Sequence, residues 1–186
     1  MQQSGEYRIG APMTAVWRAL NDPEILARCI DGCQSMEKTA DDAFKAEVKA
    51  KVGPLSALFT ADIRMLDLDP PRACTLDGNV RGGAAGFGKG QARVALTEEG
   101  AVTVLRYDVR GSVGGKLAQV GQRLIDGVAR KMADDFFAKF GEAVAPGASE
   151  AVAPDGPPAE RRPAAVWLVV IAGVAAAAIA ALMLAR

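Results

Sequence analysis

The sequence predicts an α+β domain in which a curved antiparallel sheet of about seven strands grips one long C-terminal helix, with a single membrane-crossing helix beyond it. Three stretches carry that expectation. Phe44, Ala46, Val48, Ala50 and Val52 alternate with Lys45, Glu47, Lys49 and Lys51, the period of a strand with one dry and one wet face. From Lys116 to Ala143, Leu117, Val120, Leu124, Ile125, Val128, Met132, Phe136 and Phe140 recur at helical spacing on one stripe, with charged residues opposite. Ala164 to Ala185 holds no charged or strongly polar side chain.

The remaining elements follow in order. Tyr7 and Ile9 end a short first strand, and Pro12 suits the first turn of a helix carrying Val16, Trp17 and Leu20. Asp22, Pro23 and Glu24 supply an N-cap, a first-turn proline and a dipole-matching acid for a second short helix with Ile25, Leu26, Cys29 and Ile30. After the strand at 44–52, further strands are expected around Phe59 to Met65, Cys74 to Val80, Ala92 to Leu96 and Thr103 to Val109. Asp69-Pro70-Pro71, the glycines from Gly82 to Gly90, and Glu98-Glu99-Gly100 punctuate them as turns. No helix-length segment interrupts the strands, which disfavours a parallel βαβ sheet.

The terminal helix begins with small residues, Ala118 and Gly121, and ends with the bulky Met132, Phe136 and Phe140. Small residues at its start leave space against the sheet, a candidate cavity unless the sheet's own large side chains fill it.

Residues 1–144 therefore form the domain, 145–163 a linker and 164–186 an anchor. The linker holds five prolines in nineteen residues and no apolar periodicity, the composition of an extended leash. The 22 apolar residues of the anchor, Trp167, Leu168, Val169, Val170, Ile171, Ile179, Leu182 and Leu184 among them, would rise about 33 Å as a helix, against a hydrocarbon core of about 30 Å. A buried core helix of that length would carry a polar position, and a signal peptide would stand at the other end. Arg161 and Arg162 precede the segment and only Arg186 follows, so the positive-inside bias places the domain in the cytoplasm, with a single pass through the cytoplasmic membrane.

Composition narrows the chemistry. With 22 Lys+Arg against 22 Asp+Glu the chain shows no overall cationic footprint for nucleic acid. With no histidine, Ser-His-Asp and Cys-His triads, HExxH zinc sites and His-ligated haem are excluded. Cys29 and Cys33 stand one helical turn apart, but a structural zinc site needs four ligands, and three cysteines cannot all pair; all three read as reduced thiols. Neither a metal site nor a covalent cofactor is expected. Gly86-Phe87-Gly88-Lys89-Gly90 lacks the Lys-Ser/Thr and following helix of a phosphate loop, and reads better as a mobile hairpin at the cavity mouth. Lys45, Lys49 and Lys51 could meet anionic lipid or an acidic partner, although Glu47 interleaves them and a solvated face is the default.

The ordered strings Ile9-Gly10-Ala11-Pro12, Asp22-Pro23-Glu24, Gly32-Cys33, Val52-Gly53-Pro54, Asp69-Pro70-Pro71 and Gly114-Gly115-Lys116-Leu117 leading into Val120-Gly121-Gln122-Arg123-Leu124-Ile125 resemble the G-subunit family of carbon monoxide dehydrogenase, of the START-like (SRPBCC) helix-grip superfamily. The resemblance spans Tyr7 to about Phe140. Asp31 departs from it, where proline would be expected before the Gly-Cys pair. The resemblance implies an accessory protein that recruits a cytoplasmic molybdenum hydroxylase of the CO dehydrogenase type to the membrane and holds a respiratory quinone, ubiquinone or menaquinone, in its cavity. Expected liners are Leu55, Leu58, Phe59, Phe87, Tyr107, Leu117, Val120, Gly121, Leu124 and Val128. Two other readings stand beside this one: an anchor with a filled core and no ligand, or a START-like lipid- or polyketide-binding enzyme using Asp62, Asp77 or Tyr107 if they are buried. No second catalytic group is evident beside any of these three, so no catalytic residue is assigned.

Overall fold

The structure, a computed structural model, describes residues 2–145. Seven strands form one antiparallel sheet: β1 (Gln2–Ile9), β2 (Cys33–Ala40), β3 (Ala43–Val52), β4 (Leu55–Asp69), β5 (Ala73–Arg81), β6 (Phe87–Glu99) and β7 (Val102–Gly114). Their spatial order is β1-β7-β6-β5-β4-β3-β2, so β2 to β7 form a meander and β1 closes onto its far end. Two short helices, α1 (Met13–Leu20) and α2 (Pro23–Cys29), carry the chain from one edge of the sheet to the other. The Asp22 carboxylate caps α2, accepting from the backbone N–H of Glu24 at 2.9 Å and of Ile25 at 3.2 Å.

Strand β3 follows its expected alternation: Phe44, Ala46, Val48 and Val52 are buried, while Lys45, Lys49 and Lys51 are exposed. Strand β2 escaped the sequence reading because it is an edge strand with mostly exposed residues and two register shifts against β3, so no clean period exists to detect.

The terminal helix corrects the expectation of one continuous element. It breaks into α3 (Lys116–Gln119) and α4 (Gln122–Val144), with Gly121 between them at φ +92°. That left-handed backbone ends one helix and starts the next out of phase. The buried face of α4 is therefore Ile125, Ala129, Ala133, Phe136, Phe137 and Phe140, whereas Leu124 is 40% exposed and Val128 and Met132 are half-buried. Phe137, absent from the expected stripe, stacks on Tyr7 at 3.6 Å between ring centroids, and Phe136 meets Phe137 edge-on at 5.7 Å.

Among the described residues no helix is long and apolar enough to cross a membrane. The expected linker beyond Ala145 and the expected anchor, with Trp167, Leu168, Val169, Val170, Ile171, Ile179, Leu182 and Leu184, lie outside the described residues.

Candidate functional site

Strand β2 is shorter than its neighbour. It pairs with β3 only from Ala43 to Val48; the Lys49 N–H then donates to the Gly32 carbonyl at 2.8 Å, while Ala50 to Val52 pair with β4 alone. Helix α4 runs past this uncovered edge, and the two enclose a groove of ≈ 480 Å³. Its apolar wall is Leu124, Val128 and Met132, spaced four residues apart along α4, with Ala50 facing them. Arg123, Lys131, Lys49 and Lys51 form the polar rim. Lys131 pairs with Asp135 and Lys139 of α4 with Asp31, the residue that departs from the family pattern, so the α2–β2 turn is tied to α4. Among the described residues, Lys49, Lys51 and Arg123 make no ion pair, which leaves uncompensated positive charge at the rim.

A second, enclosed space lies between α1 and the sheet, lined by Trp17, Leu20, Phe44, Ile63, Met65, Cys74, Leu76 and Leu105 among others. Its volume is ≈ 30 Å³, room for a water or two and not for a ring-bearing ligand. None of the expected liners borders it.

The structure divides those expected liners. Leu124 and Val128 line the groove. Leu124 also reaches across to the β3–β4 turn, where a Cβ on Gly53 would lie 2.5 Å from its Cδ2 atom. Leu55 and Val120 are half-buried at the same end, and Gly121 is exposed with open space where a side chain would project. Phe59 and Leu117 are fully buried as core, the Phe59 ring packed against Gly82 where any side chain would clash. Tyr107 is buried against Gly5 of β1 and near Tyr7, and its burial pushes the phenol well above its ordinary pKa.

Two expected liners do not face the interior. Leu58 alternates with the buried Phe59, so it points to the outer face and is 50% exposed. Phe87 likewise stands on the outer face beside the buried Gly88, 51% exposed, with its ring packed over Gly114. The segment 87–90, expected as a mobile hairpin, is strand paired on both sides; the connection is Gly82–Gly86, a short 3₁₀ turn. The sequence reading missed the other groove residues, among them the apolar or small Met132, Gly127, Ala50 and Gly32 and the charged Arg123, Lys131, Lys49, Lys51, Asp31 and Asp135. The row Leu124, Val128, Met132 carries a signal in its four-residue spacing, but by size alone Met132 groups with the bulky, filled half of the stripe.

Asp62 and Asp77 sit on the outer face, the first paired with Arg81 at 3.3 Å and the second accepting from Gln91 at 3.0 Å. All three cysteines are free thiols. Burial raises the pKa of each, Cys74 to about 11.

Residues 5–145 match the family model CoxG, which describes the G subunit of carbon monoxide dehydrogenase. Among solved structures, the chain is similar to a conserved protein from Geobacillus kaustophilus, 33% identical with a TM-score of 0.72, over 77% of this chain and 95% of that one. A START superfamily protein from Mycobacterium smegmatis shares the fold at 13% identity and a TM-score of 0.59, over 77% of this chain and 96% of that one. The Zhui aromatase/cyclase from Streptomyces sp. R1128 does so at 13% identity and a TM-score of 0.56, over 77% and 93%. No curated protein matches the sequence.

Proposed function

The chain belongs to the CoxG family of carbon monoxide dehydrogenase, and from that premise we propose that it is a membrane-tethered accessory protein that binds a respiratory quinone in the groove between β3 and α4 and presents it to a molybdenum hydroxylase of the CO dehydrogenase type. The observation that carries the ligand is the groove itself. At ≈ 480 Å³ it falls in the range of small-molecule sites, and it combines an apolar wall with charged residues at its rim. A quinone ring needs an apolar face and hydrogen bonds to its carbonyl oxygens; Leu124, Val128 and Met132 supply the first, and Arg123 at the rim supplies the second. The isoprenoid tail gains about 0.8 kcal/mol per buried CH₂, so an apolar wall open at one side draws such a molecule from a bilayer at small net cost.

The chain's own part in this reading is to bind, orient and release. Redox chemistry belongs to the partner, and no catalytic residue is assigned. The uncharged segment 164–185 anchors the protein in the cytoplasmic membrane, with the domain on the cytoplasmic side, and the proline-rich linker keeps exchange with the bilayer local.

The test is mass spectrometry of small molecules that co-purify with the full-length, detergent-solubilised protein. A near-stoichiometric quinone is expected, and Val128→Trp, which fills the groove from a half-buried helical position, is expected to lose it while keeping the circular dichroism of the wild type. An empty wild type that takes up no added quinone analogue would overturn the reading. Gly121→Trp is a poor probe here, because φ +92° strains any side chain at that position whatever the space around it. The anchor is tested apart: deletion after Pro163 is expected to move the protein to the soluble fraction at high salt.

A further inference from the structure

A meander alternates its turns between two ends of the sheet, and here the two ends differ in charge. The β2–β3, β4–β5 and β6–β7 turns carry Asp41, Asp42, Asp67, Asp69, Glu98 and Glu99. The opposite end is built from segments 48–61, 78–90 and 109–125, which contain no Asp or Glu at all. Among the described residues, Lys49, Lys51, Lys89, Lys116 and Arg123 of these segments form no ion pair with an acid. The zero net charge of the chain conceals this separation.

Among the described residues, three of the five most exposed large apolar side chains also stand at the cationic end, while Leu66 and Leu68 stand at the other end between Asp67 and Asp69, where acids would oppose an anionic surface. Leu58 is 50% exposed, Phe87 51% and Leu124 40%, the first on β4, the second at the start of β6 and the third on the first turn of α4. These elements form one continuous end of the molecule: the Gly53 turn touches Leu124, Gly82 touches Phe59 and Gly114 touches Phe87.

We propose that this end is a second membrane contact, which docks on an anionic bilayer with Leu58, Phe87 and Leu124 entering the interface and these lysines and Arg123 meeting lipid phosphates. Protruding apolar side chains within a field of cations without acids fit the chemistry of an anionic lipid surface. Leu124 and Lys51 also line the groove, so docking places that part of its wall beside the lipid. The leash permits this: α4 carries the chain about 34 Å from the docking end at 1.5 Å per residue, and nineteen residues of linker extend to about 60 Å at most. This proposal goes beyond the quinone reading and does not depend on it.

The experiment is hydrogen exchange of the full chain in nanodiscs of phosphatidylcholine with and without phosphatidylglycerol. Slower exchange is expected in the anionic discs at 53–58, 82–89 and 116–124, reversed by high salt. Lys51→Gln/Lys89→Gln/Lys116→Gln is expected to weaken docking roughly a hundredfold, at roughly fivefold per cation. Arg18→Gln/Arg28→Gln/Lys38→Gln, which changes net charge equally elsewhere, is expected to leave it intact, and Leu58→Ser to weaken it without altering the salt response. Equal exchange in the two kinds of disc, or protection that survives the triple lysine change, would overturn the proposal. Equal exchange is also what an acidic protein partner on this surface would give, since none is present in the discs. Because no quinone is needed here and no bilayer in the co-purification test, either idea can fail while the other stands.

Discussion

The two halves of α4 are made of similar amounts of apolar residue and do different work. From Phe136 to Phe140 the helix buries three phenylalanines against Tyr7 and one another, close to α2. From Leu124 to Met132 the helix buries Ile125, but Leu124, Val128 and Met132 stand partly out of the core along the uncovered edge of β3, while the next buried positions are the small Ala129 and Ala133. A helix that puts alanine inward and leucine on its flank gives up packing energy there and gains a ligand-sized groove. The same division holds in the layer between sheet and helices: its acid-tipped end is closed around a cavity for a water or two, and its cation-tipped end is open to the α4 groove.

The sharpest test of that contrast is truncation in each half. Phe140→Ala removes a fully buried ring and is expected to cost about 3–5 kcal/mol in denaturant unfolding. Leu124→Ala removes a side chain already 40% exposed and is expected to cost less than about 1.5 kcal/mol. Equal costs would mean that the groove is filled in solution and that α4 packs evenly along its length.

The closed end should also declare itself through pH. Burial raises the Cys74 thiol from 9.0 to about 11, so the folded state holds that proton more tightly than the unfolded chain. The stabilisation is complete below pH 9 and is lost as pH rises from 9 towards 11, by up to about 3 kcal/mol at 1.36 kcal/mol per pKa unit. Cys74→Val, compared with wild type over that range, is expected to remove this part of the alkaline loss. Cys33, half-buried next to the groove residue Gly32, is expected to react with a thiol reagent well before Cys74.

Much of this was legible in the sequence. The period of β3, the Asp22 cap and the glycine- and proline-marked turns place most of the sheet and both short helices, because each rests on local chemistry. The phase of α4 was not legible, since it depends on a left-handed Gly121 that nothing local distinguishes from a tolerated helix glycine. That single position decides whether Leu124, Val128 and Met132 point at the sheet or stand along its edge as a groove wall. Leu58 and Phe59 could not both face inward, and period two alone was enough to say so. The charge separation was present in the sequence as three acid-free segments, but it became a surface only once the meander brought them to one end.

Glycines in the open half give the smallest and most discriminating contrast. Gly127 lies within α4 with nothing near its missing Cβ, and it lines the groove. Gly127→Ala therefore meets no obstacle, raises helix propensity and is expected to stabilise the domain by about 0.5–1 kcal/mol. Gly121 has the same open space, yet Gly121→Ala must adopt φ +92°, and is expected to destabilise by about 1–2 kcal/mol. Opposite signs from two equally uncrowded glycines six residues apart would establish that the break before α4 is held by backbone conformation alone. If both changes stabilised, α3 and α4 would join into one helix in solution, Leu124, Val128 and Met132 would turn inward, and the groove would close.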